Sequence, residues 1–161
     1  MQQLEVRPGR DEDAAGFIAL ISRCWADYPG CVLDVDNEAP ELRALTSYYA
    51  GQGGALWVAG NVEGMIATRP ARDGMWEVCR VYVHPALHGT GLANRLMDAA
   101  ERHALGAGAT ALELWTDTRF ARAHRFYQRR GYVRGGSREL GDPAFCTEWH
   151  YTRGMSVRGS R

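Results

Sequence analysis

No stretch of this 161-residue chain approaches the run of about twenty apolar residues that a membrane-spanning helix needs, so no membrane segment is expected. A surplus of charge is missing too, because 19 Lys plus Arg face 19 Asp plus Glu. Sequence-independent binding to nucleic acid draws on excess cations to displace counterions from phosphates, and it is therefore not expected. Cysteine is sparse. Cys24, Cys31, Cys79 and Cys146 form no C-x-x-C pair and no zinc-like spacing with His, so neither a metal site nor a disulfide framework is read from them. Met1 to Val6 lacks a basic start followed by an apolar run, which excludes a signal peptide and leaves a cytoplasmic protein with free thiols as the expectation. Cys79, inside an apolar run, reads as a small core residue rather than a nucleophile. Internal repeats and low-complexity blocks are absent, and the length suits one domain. The expected division is a single domain over residues 1–153 and a polar, flexible tail over 154–161.

What is present alternates between two periods. Residues 2–7 suit a short strand. Asp11, Glu12 and Asp13 then favour the positive end of a helix dipole, and Phe17, Leu20, Ile21, Cys24 and Trp25 follow at helical spacing to about Asp27. Residues 28–39 read as a loop, and Pro40 opens a second helix through about Tyr49. Short β-branched or aromatic runs at 55–59, 65–69 and 76–83, separated by Gly60-Asn61 and Asp73-Gly74, predict an antiparallel meander. After Pro85 the pattern turns helical, with Leu92, Leu96, Ala99, Ala100 and His103 on one face. A strand at 110–115, a helix at 120–130, and strands at 132–133 and about 145–152 complete the chain. The order predicts a mixed sheet with helices packed on its faces.

Chemistry concentrates where the fourth predicted strand ends. His88, Gly89, Thr90, Gly91, Leu92 and Ala93 form a glycine turn opening onto an amphipathic helix. The first amides of a helix lack internal partners and carry partial positive charge, and glycines let the main chain approach an anion closely. This is a phosphate cradle. A Walker loop is excluded, since Leu92-Ala93-Asn94 stands where Gly-Lys-Ser/Thr would follow. The dinucleotide fingerprint fails as well, with Asn94 in place of its third glycine.

The run V-x-V-x-P followed by H-G-T-G-L-A resembles the GNAT superfamily of acyl-CoA-dependent N-acyltransferases, whose loop reads Q/R-x-x-G-x-G/A. His88, Gly91 and Ala93 take its first, fourth and sixth positions, and His88 departs from the usual Gln or Arg. A second motif, A-x-x-F-Y-x-x-x-G-Y/F, matches Ala123, Phe126, Tyr127, Gly131 and Tyr132. The resemblance implies an α/β (α+β) fold: a mixed, mostly antiparallel sheet of about six or seven strands flanked by about four helices. It implies acetyl-CoA as co-substrate, with the pyrophosphate on residues 88–93 and the pantetheine arm against the main chain of Val81, Tyr82 and Val83, between strands that splay apart near Val83 and Trp115. Phe126 joins this cofactor set, Tyr127 lies near the thioester sulfur, and a homodimer is a family expectation.

The implied reaction moves an acetyl group to an amine, of a small molecule or a protein, by direct attack in a ternary complex. The amine must be neutral to attack, and Glu77 on the fourth strand is the candidate base, directly or through water; its other reading is a solvent-facing strand carboxylate. Tyr127 has the phenol O–H that the leaving thiolate requires, and otherwise reads as a core aromatic. Trp25, Tyr28, Asp34 and Asp36 would suit a cationic acceptor, yet the same residues describe a solvated acidic loop. Arg119, Arg122, Arg125 and Arg129 form a basic stripe, part of which could meet the 3′-phosphate. A non-catalytic module that senses acyl-CoA is the alternative, and only an enzyme needs the proton donor at the sulfur.

Overall fold

The structure, a computed structural model, describes residues 3–142 and 146–155. Alternating strands between glycine turns build the first half of the sheet. β1 (Val6–Pro8), β2 (Ala55–Ala59), β3 (Gly64–Arg72) and β4 (Met75–Val83) pair antiparallel in sequence order. α4 (Leu92–Gly106) then carries the chain back across the sheet, so β5 (Ala111–Asp117) lies parallel to β4. β6 (Val133–Glu139) and β7 (Thr147–Gly154) close the order β1-β2-β3-β4-β5-β7-β6, with β7 antiparallel to both neighbours. The remaining helices are α1 (Ala14–Trp25), α2 (Val35–Glu38), α3 (Leu45–Ala50) and α5 (Ala121–Arg129). This is the mixed sheet that the periodicities predict, mostly antiparallel as the resemblance implies.

Each face of the sheet has its own core. Leu92, Leu96, Met97, Ala100 and Ala104 of α4 pack on Ile66, Val78, Leu112 and Leu114. On the other face Phe17, Leu20 and Ile21 of α1, with Leu42, Leu45 and Tyr49, cover Leu56, Val58, Met65 and Ala67. The buried stripe of α4 is rotated from the expected one. Met97, Glu101 and Ala104 take part, while His103 is exposed and sets its ring edge-on to Trp57 and Trp76, at 5.3 and 5.8 Å.

Glu101 is a buried carboxylate. It accepts from the Tyr132 hydroxyl at 2.8 Å, from Arg130 at 2.6 Å and from Arg153 at 3.1 Å, tying α4 to the end of α5 and to β7. Removing one side of a buried ion pair leaves the other uncompensated. Glu101→Ala is therefore expected to cost about 3 kcal/mol of unfolding free energy, measured as a lower denaturant midpoint.

Several boundaries depart from expectation for identifiable reasons. The loop over 28–39 contains α2, because the Asp34 carboxylate accepts from the Asn37 amide at 3.3 Å and caps a single turn. The second helix is broken into a 3₁₀ segment, Pro40–Ala44, and α3. β6 is a full seven-residue edge strand, exposed along its whole length. Its sequence therefore carries no apolar alternation from which to read it. At the C-terminus Gly154 belongs to β7 and the Met155 amide donates to the Thr110 carbonyl at 2.8 Å, which corrects the expected start of the tail. The rest of that tail, 156–161, and the expected strand start near Phe145 lie outside the described residues.

One irregularity positions the site. Arg80 has φ +56°, and the register against β3 slips between Cys79 and Tyr82, so β4 bulges there. A left-handed conformation costs a non-glycine residue about 1–2 kcal/mol. The side chain recovers much of this, with its guanidinium 2.5 Å from Glu41 and 3.3 Å from the Tyr49 hydroxyl. β4 pairs with β5 only from Met75 to Glu77; beyond that the strands diverge and leave a cleft.

Candidate active site

Two cavities adjoin the cleft between β4 and β5. On the α4 side lies a cavity of about 450 Å³, lined by Val81, Tyr82 and Val83, by His88, Gly89, Gly91, Leu92 and Ala93, and by Phe126 and Tyr127. Away from it a second cavity, of about 380 Å³, is lined by Asp34 and Glu38 at α2 and by Leu140, Asp142 and Cys146 before β7; the resemblance implies the first as the cofactor side and the second as the acceptor side. Trp25, Val81, Tyr82, Phe120, Ala123 and Tyr127 line both, so the two share a wall that includes Tyr127.

The helix tip opens on a glycine turn. Gly89 and Gly91 have φ +80° and +86°, and a Cβ at either would meet nothing within 4 Å, so the concavity in front of the loop is open. Arg95 is the first residue of α4 whose amide reaches back, to the Gly91 carbonyl at 3.2 Å, and no side chain caps the helix. The preceding amides of Leu92, Ala93 and Asn94 face outward with their partial positive charge. Thr90 lines neither cavity; its hydroxyl donates to the Leu87 carbonyl at 2.6 Å and closes the turn. His88 replaces a longer donor. Burial, and then the nearby Arg122, push its pKa below the usual imidazole value, which favours the neutral ring. Arg122 and Arg129 of the basic stripe line the same cavity, whereas Arg119 is paired with Asp117 at 2.7 Å.

A diphosphate on a flexible arm fits this arrangement. The open glycine turn accepts the anion, and the edge of β4 beyond Glu77 has no strand partner, so its main chain is available to an amide-bearing arm. Residues 12–132, about three quarters of the chain, match the family model described as acetyltransferase (GNAT) family. The chain belongs to that family. A search of curated proteins gave no match. Among solved structures, an acetyltransferase from Streptococcus agalactiae 2603 superposes with a TM-score of 0.81 at 20% identity, over 96% of this chain and 100% of its own. A GNAT-family acetyltransferase from Staphylococcus aureus Mu50 also reaches 0.81, at 18% identity over 95% and 99%. The yncA protein of Salmonella typhimurium, solved with its cofactor acetyl-CoA, gives 0.72 at 16% identity over 99% and 98%. At these identities the likeness speaks for the fold, and this acetyltransferase has the GNAT fold.

Within the acetyltransferase, Tyr127 is 5% exposed and packs against Phe126, Tyr132 and Tyr151. Its hydroxyl has no hydrogen-bond partner among the described residues, and burial followed by proximity to Tyr82 pushes its pKa above the usual 10. It is both a core aromatic and a protonated phenol at the junction. Glu77 lines the acceptor-side cavity and accepts from Arg69 Nε at 3.1 Å, so it is a paired carboxylate rather than a free one. Trp25 donates to the Tyr82 hydroxyl at 3.2 Å, and Tyr28 packs on Phe120 in the cofactor-side cavity. Asp34 reaches the acceptor-side cavity. Asp36 is the exception. It is exposed, pairs with Arg43, and lines neither cavity, because the one-turn α2 points it to the opposite side.

Sequence reasoning passed over Arg69, Glu41, Tyr49, Arg80 and Trp115, all of which line the acceptor-side cavity. Arg80 had a visible signal, a guanidinium breaking the apolar alternation of Val78-Cys79-Arg80-Val81-Tyr82-Val83. The thiols near the junction are not nucleophiles: burial pushes Cys24 up to about 11 and Cys79 up to about 12. His84 accepts from the Ala86 amide at 3.1 Å as a turn residue, and His124 lies 2.9 Å from the Asp117 carbonyl. Among the described residues no group of three or more His, Cys, Asp or Glu is arranged to hold a metal ion.

Proposed function

We propose that this acetyltransferase transfers the acetyl group of acetyl-CoA directly to a primary amine, with both substrates bound at once. The observation that carries the reading is one protonated phenol, Tyr127, in the wall that the two cavities share. When bound, acetyl-CoA supplies an activated acetyl thioester. The amides at the head of α4 would hold its diphosphate, and the free edge of β4 around Val81–Val83 would align the arm and donate to the thioester carbonyl oxygen. Tyr127 would keep a proton at its phenol oxygen for the departing sulfur. The protonated thiols of Cys24 and Cys79 favour direct transfer over a covalent acetyl-enzyme.

Glu77 would draw a proton from the acceptor through water, since Arg69 already occupies one of its oxygens. With one oxygen held by Arg69 and the proton passing through water, Glu77→Gln should lower kcat/KM only about tenfold near neutral pH. That deficit should shrink as pH rises toward the amine's own pKa, where the nucleophile is neutral without help. A pH-independent loss would assign Glu77 to structure instead.

Thiol release from acetyl-CoA across a panel of amines tests the reaction, and initial rates at varied concentrations of both substrates test its order. Intersecting double-reciprocal lines are expected. Parallel lines would mark a ping-pong path through an acetyl-enzyme and overturn direct transfer.

A further inference from the structure

The charges around the acceptor-side cavity are unevenly compensated. Seven carboxylates line it against three guanidinium groups. Toward the strands each carboxylate has its cation: Glu77 is 3.1 Å from Arg69, Glu41 is 2.5 Å from Arg80, and Glu148 is 2.8 Å from Arg138. Asp117 is likewise held by Arg119. Toward the mouth the pairing stops. Asp34 and Glu38, at the two ends of α2, have no arginine partner among the described residues; the Asp34 oxygens accept only from Asn37, at 3.3 and 2.9 Å. Asp142, across the mouth, accepts from the Cys146 amide at 2.8 Å. Its pKa is held below the usual carboxylate range, first by that amide hydrogen bond, so it stays ionised. Independently of these acids, Tyr127 lines this space while only 5% exposed, and its hydroxyl has no hydrogen-bond partner among the described residues.

Resting on the acetyl-transfer reading, we infer that the acceptor is an aliphatic diamine or polyamine, bound with one nitrogen at Tyr127 and a second, charged nitrogen at Asp34 and Glu38. The two ends of such a molecule need opposite surroundings. The attacking nitrogen must shed its proton, and an uncompensated carboxylate beside it would oppose that. The inner wall offers compensated pairs. The remote nitrogen stays an ammonium, and the outer rim offers unpaired carboxylates. Between the ends, Trp25, Tyr48 and Phe120 provide ring faces for methylenes. The uncharged flanks of the mouth, Val32 at 74% and Leu140 at 46% exposure, contribute no competing cation. An acceptor ending in a carboxylate would meet like charge at the rim.

Three five-carbon amines separate these possibilities: 1,5-diaminopentane, pentylamine and 5-aminopentanoate, each titrated calorimetrically into the enzyme saturated with CoA. The diamine is expected to bind about tenfold more tightly than pentylamine, with 5-aminopentanoate weakest. Its advantage should fall severalfold between about 50 and about 300 mM salt, because the rim is exposed to solvent. Glu38→Gln, an exposed change that leaves the Asp34 cap intact, should remove most of the advantage without weakening pentylamine. Equal binding of diamine and pentylamine, or tighter binding of the amino acid, overturns the inference. Acetyl release is read separately. Preferential diamine binding without acetylation would defeat the proposed reaction and leave this assignment standing, whereas acetylation of all three amines without a binding preference would do the reverse. The chain contains no lysine, so acetylation of the enzyme's own ε-amines cannot obscure either readout.

Discussion

Tyr127→Phe is expected to lower turnover about a hundredfold while acetyl-CoA binds within about twofold of the wild-type affinity. The change removes one oxygen from a buried ring whose packing against Phe126, Tyr132 and Tyr151 does not depend on it. No hydrogen bond is broken among the described residues, so the fold loses nothing and only proton donation disappears. Stopped assays of thiol release, together with calorimetric titration of acetyl-CoA, distinguish this from a packing role, which would move affinity and melting temperature together. The same phenol makes a statement about pH. Burial raises its pKa above 10, so Tyr127 remains protonated throughout the range in which an amine acceptor loses its proton. Turnover should therefore climb with pH as the nucleophile is freed, with no falling limb at the ordinary phenol value. Such a limb near pH 10, present in the wild type and lost in the Phe variant, would show the phenol more exposed to water than the structure has it.

Gly91→Val is expected to weaken acetyl-CoA binding about a hundredfold, with a smaller loss of stability. Two effects combine at one position. At φ +86° any side chain strains the backbone, by about 1–2 kcal/mol and more when β-branched, and relaxation of that strain turns the amides of Leu92 and Ala93 away from their common focus. The side chain also projects into the open space before the helix, where nothing of the protein lies within 4 Å and where the diphosphate would dock. Gly106, at the other end of α4, also has open space around it and lacks a positive φ, so Gly106→Ala serves as the control and should leave affinity unchanged. Wild-type affinity in the Gly91 variant would remove the helix tip from the cofactor site.

The amphipathic elements were legible because burial imposes a period: α1 and α4 on two faces of one sheet, and β2 to β5 between glycine turns. Where burial imposes none, reading failed. β6 is exposed throughout, and α2 is a single turn held by one aspartate cap, so neither leaves an apolar rhythm. The site divides along the same line. The proposed cofactor side rests on a loop, helix tip and Phe126-Tyr127 pair that lie in two local runs of sequence, so its geometry was readable without distant contacts. Asp36 and Asp34 looked equivalent as neighbouring acids, and only the direction of α2 separates them.

By itself, then, the chain specified a mixed sheet clothed by helices, an open glycine turn at a helix tip and a phenol near it, since each depends on residues adjacent or one turn apart. Tertiary structure alone decided that Glu77 is paired with Arg69, that Arg80 bulges β4 under the hold of Glu41, and that compensated charge lines the inner cavity while Asp34 and Glu38 at its mouth have no cation among the described residues. Those are relations between residues far apart in sequence, 39 positions for Arg80 and Glu41, and the Coulomb energy that governs them depends on distance in space, which no local pattern encodes.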